Sequence, residues 1–322
     1  MNIRAVFLNG NSLKQDFATA FGPKTLVKDR PTVVILLPEM LFRSDTIKCV
    51  VDDIDHERLS LFVIDEAHLI HKWGEFRTAF KRMETIKTLF SCPILLLSAT
   101  MKTINVKEML NNVVRANALV FKGNIDRENV SIKLLPYNPG TESGWLLVAK
   151  QVWDFINREK AIDYFSYAKQ CDKLHECLSG LNLKSVAAGN SNCAEKVAIY
   201  RKMKKGEIDL LVATTAFAMG SNIPGVIYVI QIGLPQNLSL FVKELGISGR
   251  EGSAYIFICK QFDLKRLSYW TKEVSDNERL LRYEDFRQVC EFVSSAFVKN
   301  CLRAYFLQHF DSTTNSEPHL NP

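Results

Sequence analysis

Long apolar runs are missing from this sequence. No stretch approaches the ~20 consecutive apolar residues of a membrane-spanning helix, and the amino terminus lacks the basic start and apolar core of a secretory leader. Paired cysteines are missing as well. No two of the eight cysteines form a C-x-x-C pair, so neither a zinc ribbon nor a disulfide framework is signalled. Scattered cysteines of this kind fit a reducing compartment, and neither secretion nor a membrane location is expected. Charge of one sign is scarce: the net charge is +6, which suits a phosphate-rich partner without requiring one. No repeat recurs at a fixed period.

What is present is a chain of 322 residues with 47% hydrophobic and 24% charged residues, room for about two ordinary domains with buried cores. Short apolar runs alternate with amphipathic stretches. Strands are expected at residues 3–8, 33–37, 61–64, 94–97, 130–135, 161–165, 210–213, 226–230 and 254–259. Helices are expected at 76–90, 169–178 and 194–204, among others. Continuous apolar strands separated by helices predict an α/β fold with parallel sheets. The string Tyr137-Asn-Pro-Gly-Thr-Glu-Ser-Gly144 interrupts this rhythm and reads as a linker. It divides the α/β part into residues 1–137 and 138–262. Residues 263–322 look mostly helical, ending in a frayed tail from Ser312.

The chemistry is concentrated at strand ends. Leu61-Phe-Val-Ile runs directly into Asp65-Glu66-Ala67-His68. Open α/β sheets place ligand-handling residues at the carboxyl ends of their strands. A carboxylate there can hold Mg²⁺ together with substrate phosphates, and a second can orient an attacking water. Asp65 is the candidate for the metal and Glu66 for the water. A strand end capped by acids with no catalytic task would look similar in isolation. A second apolar strand, Ile94-Leu-Leu-Leu, ends in Ser98-Ala99-Thr100, whose hydroxyls could bond across to the acidic strand end.

Together these strings resemble motifs II and III of superfamily 2 helicases. The loop Leu69-Ile-His-Lys-Trp73-Gly74-Glu-Phe76-Arg77 narrows the resemblance to the RecQ family of DNA helicases, whose aromatic-rich loop it matches with one residue fewer. Pro38-Glu39 resembles the family's Pro-Glu motif. Val212-Ala-Thr214-Thr-Ala-Phe-Ala-Met-Gly220 resembles motif V, and Gly246-Ile247-Ser-Gly-Arg250-Glu-Gly252 motif VI.

The resemblance implies two RecA-like lobes and a short helical C-terminal region. It also implies ATP with Mg²⁺ as cofactors and 3′-to-5′ movement on single-stranded or forked DNA in repair or recombination. The location implied is nuclear in a eukaryote and cytoplasmic otherwise. Asp65, Glu66 and Arg250 would be catalytic. His68, Ser98, Thr100 and Gly220 would couple ATP to movement. Trp73, Phe76, Arg77 and Thr214 would meet the DNA; aromatic faces stack on bases and arginine forks phosphate.

Three departures qualify that expectation. No G-x-x-x-x-G-K-[ST] phosphate loop occurs in the 322 residues. The nearest string, Gly22-Pro23-Lys24-Thr25, has Ala18 and Pro23 where glycines are needed, and proline lacks the N–H that a phosphate nest uses. In motif VI the first of two family arginines falls on Ile247 and the glutamine on Lys243; in motif V, Ala218 and Asn222 replace a glycine and an aspartate. Cys301-Leu-Arg-Ala-Tyr-Phe306 resembles the start of the RecQ zinc subdomain, but no C-x-x-C follows. Four ligands are needed for structural zinc, and Cys290 reads as a buried helix cysteine, so zinc is not expected. Impaired hydrolysis is expected of the chain as it stands. A non-catalytic nucleic-acid-binding protein derived from such a motor is the second reading, and a phosphate loop encoded upstream the third.

Overall fold

The computed structural model describes residues 3–10, 12, 14–22, 31–73, 78–114, 118–136, 142–156, 159–165, 167–181, 183–189, 191–214, 223, 225–247, 253–259, 264–297 and 301–310. The chain divides into two compact units, residues 1–122 and 123–322. Each is α/β with parallel strands.

In the first unit, β1 (Ala5–Leu8) pairs with β2 (Val33–Leu36), and β3 (Phe62–Ile64) with β4 (Ile94–Leu96). All four lie in expected strand segments. Helices cover one side. The Ser44–Asp55 helix buries Thr46, Val50 and Ile54, four residues apart and so on one stripe. Val50 and Ile54 join Ile64, Ala67, Phe80, Ile86, Phe90 and Val113 in one core.

Both strand pairs leave alternate apolar side chains open. Phe7, Val33, Ile35, Leu37, Leu61, Val63, Leu95 and Leu97 are each between 41% and 50% exposed. Parallel sheets are ordinarily covered on both faces, so this alternating apolar row is unusual.

The helix expected at 76–90 is broken into Thr78–Arg82, a 3₁₀ turn Met83–Thr85, and Ile86–Leu89. Two threonines account for the break. The Thr85 hydroxyl donates to the Arg82 carbonyl at 2.7 Å and the Thr88 hydroxyl to the Thr85 carbonyl at 2.8 Å, offering the backbone a local alternative to the α ladder.

The second unit holds one six-stranded parallel sheet in the order β5-β10-β9-β6-β8-β7. The strands are β5 (Val130–Pro136), β6 (Ala161–Phe165), β7 (Ser185–Ala188), β8 (Leu210–Thr214), β9 (Tyr228–Ile232) and β10 (Ser253–Cys259). All five residues of β6 are buried. Its side chains alternate between two cores, Ile162 and Tyr164 in one, Ala161 and Phe165 in the other. The edge strand β7 was not anticipated, because Ser-Val-Ala-Ala carries little apolar signal. The strand expected at 226–230 lies two residues later.

The sequence places the break after residue 137, whereas the units meet between Lys122 and Gly123. The reason is β5, which pairs with β10 over seven residues and so belongs to the second sheet. The presumed linker is helical from Glu142 onward. Nor do residues 263–322 stand apart. The helices Asp276–Phe297 and Leu302–His309 contribute Phe292, Val293, Phe306 and Leu307 to the core that contains Phe241 and Tyr255. The frayed tail from Ser312 lies outside the described residues. Among the described residues no helix is long and apolar enough to cross a membrane.

Candidate active site

Five of the expected site residues converge in the first unit. β3 delivers the chain to Asp65, whose Oδ1 accepts the Glu66 N–H at 2.8 Å. Glu66 has φ 51°, the left-handed region that a residue with a Cβ enters at a cost. The turn is held on both sides of that residue. The Leu97 N–H donates to the Ile64 carbonyl at 2.9 Å, and the Ala67 N–H donates to the Leu97 carbonyl at 2.8 Å. Ala67 itself is fully buried. Leu97, the residue after β4, therefore clamps the ends of the acidic turn, and Glu66 is lifted out as the strained residue between them. Asp65 is exposed and Glu66 half-exposed.

The helix His68–Trp73 follows at once. Nδ1 of His68 lies 3.0 Å from the Ser98 hydroxyl and 3.4 Å from Oε2 of Glu66. The Ser98 Oγ also accepts the Thr100 N–H at 3.3 Å. The Ser-Ala-Thr strand end thus reaches the acidic turn through a histidine, a relay that the sequence suggested in outline but could not route. The Thr100 hydroxyl is buried with no hydrogen-bond partner among the described residues.

Among the described residues no three His, Cys, Asp or Glu side chains cluster as a metal site would; Asp65 is a single exposed carboxylate at a strand's carboxyl end, the kind of group Mg²⁺ takes when phosphates supply the other oxygens.

The other expected residues are placed less fully. Thr214 ends β8, half-buried, in register with Phe165 of β6. Trp73 closes its helix; its side chain, and Phe76, Arg77, Gly220 and Arg250, lie outside the described residues. Ile247 follows the Leu238–Leu245 helix and is half-buried against the second unit's core. Cys290 is buried within a helix, as expected, while Cys301 is exposed at a helix start.

One group went unread in the sequence. Glu244 is completely buried next to motif VI, and its Oε2 accepts the Tyr255 hydroxyl at 2.5 Å. Burial, then the Glu244 charge, holds the Tyr255 and Tyr164 hydroxyls well above the ordinary tyrosine range. A lone Glu in an amphipathic helix gives no sign that it faces inward.

Comparison with known proteins bears on the family. Residues 2–109 match the family model described as DEAD/DEAH box helicase, and residues 145–252 match the helicase conserved C-terminal domain. The chain belongs to the DEAD/DEAH-box helicases of the RecQ type. Its curated relatives include the RecQ-like DNA helicase BLM of Xenopus laevis, 25% identical over 338 residues, covering 100% of this chain and 24% of the relative. The ATP-dependent DNA helicase RecQ of Pasteurella multocida is 26% identical over 205 residues, covering 62% of this chain and 31% of the relative. This helicase chain therefore spans about a quarter to a third of the length of those two relatives.

Among solved structures, the Mycobacterium smegmatis helicase Lhr bound to single-stranded DNA and AMP-PNP has a TM-score of 0.59 at 16% identity, covering 84% of this chain and 36% of that one. The DEAD-box helicase Mss116 bound to single-stranded RNA and UDP-BeF has a TM-score of 0.58 at 21% identity, covering 96% and 66%. These likenesses establish the RecA-like fold of the two lobes.

Proposed function

We propose that this chain is the motor portion of a RecQ-type DNA helicase that moves 3′-to-5′ on single-stranded or forked DNA, in repair or recombination. It would act in the nucleus of a eukaryote and in the cytoplasm otherwise. The observation that carries the reading is the clamped acidic turn, with Glu66 in a left-handed backbone and His68 bridging it to Ser98. Strain of this kind, over-determined by its surroundings, is typical of active sites. Asp65 would hold Mg²⁺, which offsets the phosphate charge when bound with ATP. Glu66 would orient the attacking water and accept its proton. His68, Ser98 and Thr100 would pass the state of the turn toward the strand-binding surface, where Trp73, Phe76, Arg77 and Thr214 are assigned. Arg250 and Gly220 would serve the second lobe's side of the reaction. A polypeptide of these 322 residues alone should show almost no ATPase, since their sequence contains no G-x-x-x-x-G-K-[ST] string.

Strand binding tests the reading without ATP. The chain should bind single-stranded DNA weakly, and the affinity should fall steeply as salt rises because counterion release dominates. Trp73→Ala should weaken that binding by about 1–3 kcal/mol if the ring stacks on a base. Fluorescence anisotropy across a salt series is the measurement. A Trp73→Ala chain that melts earlier yet binds equally well would make Trp73 a packing residue.

Zinc is not part of the proposal. Cys290 lies inside the core and Cys301 outside it. Metal analysis after a chelator wash should return far less than one zinc per chain, and one per chain would overturn this.

A further inference from the structure

The segment that opens the second unit is gripped from behind. Arg303, on the Leu302–His309 helix, reaches back 177 residues to the Asp126 carboxylate. The same guanidinium donates to the carbonyls of Arg127, at 2.9 Å, and Val130. Asp126 has only 3% of its side chain exposed, and the Val130 N–H closes a turn onto the Arg127 carbonyl at 2.9 Å. The backbone of residues 126–130 is thereby fixed to the C-terminal helices.

Arg127 is pinned through its carbonyl while its side chain stands in the open. The guanidinium does not point at random. A methyl carbon built on Gly246 would lie 3.9 Å from its terminal nitrogen. Gly246 is the first residue of the motif VI string, one position before Ile247. Ile247 cannot supply charge there, and its half-buried side chain packs on the unit's core. Lys243, the residue aligned with the family glutamine, lies three positions back on the same helix, hence on the same face as Gly246.

We propose that Arg127 supplies, from outside motif VI, the guanidinium that Ile247 does not, and that its ligand is a phosphate group, carried by bound nucleotide or by the nucleic-acid strand. This rests on the helicase reading above. A fork of N–H donors is the side chain best shaped for phosphate oxygens. Its backbone is already held by Arg303, so the ordering that binding still requires is confined to the side chain. The plain alternative is that Arg127 only neutralises the carboxyl end of the Leu238–Leu245 helix, where a cation is favourable.

The full 322-residue chain tests this with two probes, a labelled oligo(dT) strand and inorganic tripolyphosphate, each titrated over a salt series. The variants are Arg127→Gln and Arg127→Lys. If the strand is the source of phosphate, Arg127→Gln should lower the log–log salt slope for oligo(dT) by about one, while Arg127→Lys should keep it. If nucleotide is the source, the strand slope should stay and the rise in melting temperature given by tripolyphosphate should shrink in Arg127→Gln only. The proposal is overturned if Arg127→Gln leaves both probes unchanged. It is also overturned if Arg127→Gln lowers the melting temperature without any probe and Arg127→Lys does not, while both variants keep the strand slope and the tripolyphosphate shift of the parent, which is the helix-end role. If the unsubstituted chain binds neither probe, the helicase reading itself falls. If it binds and Arg127→Gln binds identically, only this inference does.

Discussion

Glu66→Gln is expected to lower kcat for ATP by roughly 10²–10⁴-fold, with nucleotide binding retained. The assay needs a polypeptide that joins these residues to a first strand and phosphate loop from a RecQ-like relative. Glutamine keeps the shape of glutamate and removes only its ability to accept the water's proton. The turn that presents it should survive, since its fixed points are backbone bonds of Ala67 and Leu97 rather than the Glu66 side chain. Glu66→Gly sharpens the test. Glycine enters the left-handed region without a Cβ clash, so this variant should be about 1 kcal/mol more stable than the parent and equally inactive. A gain in stability with loss of activity is the signature of strain held for function. An unchanged kcat in Glu66→Gln would place the base elsewhere.

The second large effect concerns stability. Asp163→Leu should stabilise the second unit by roughly 1–3 kcal/mol, raising its melting temperature by roughly 2–12 °C. Asp163 sits at the centre of β6 with no exposed surface, and among the described residues neither carboxylate oxygen has a hydrogen-bond partner. Burial pushes its carboxyl well above the ordinary aspartate range. Burial, and then the Asp163 charge, pushes the neighbouring Cys171 thiol up to about 12.

The pH dependence follows from the direction of that shift. As pH rises through the ordinary aspartate range, the unfolded chain releases its proton while the folded chain keeps it. The folded state then binds more protons, so stability falls with rising pH across that window, up to the raised folded value. Below the ordinary range the group contributes no slope. Asp163→Asn should abolish the slope but keep most of the cost of a buried polar group. Asp163→Leu should remove both, and its advantage should be larger at pH 8 than at pH 4. Calorimetry at several pH values checks this. A slope that persists in Asp163→Asn would assign the titration to another group.

The legibility of the molecule tracks how local each cause is. The strand into Asp65-Glu66-Ala67-His68 and the strand into Ser98-Ala99-Thr100 could be read because each packs its signal into eight contiguous residues or fewer. The left-handed turn at Glu66 could not, since no glycine marks it and the clamp comes from Leu97. β7 was silent because an edge strand of small residues buries too little to need an apolar pattern. Pro139 and Gly140 read locally as a linker, while the pairing that ties β5 to the second sheet is made with β10, far along the chain. Asp163 shows the same limit: a single acid within an apolar run does not announce that both faces of its strand are covered. Arg303 and Asp126 are 177 residues apart, beyond the reach of any periodicity.

The open apolar side chains of the first unit's strands have a colloidal consequence. Two pairs of short parallel strands each present alternate apolar side chains to water, and such surfaces meeting face to face would bury what each alone cannot. For a polypeptide of these residues held by itself, working concentration is then governed by encounters between copies, a second-order process, more than by any folding equilibrium. The thermal transition would depend on scan rate and protein concentration, and dilution would preserve it better than cooling, because the attraction between apolar faces is largely entropic near room temperature.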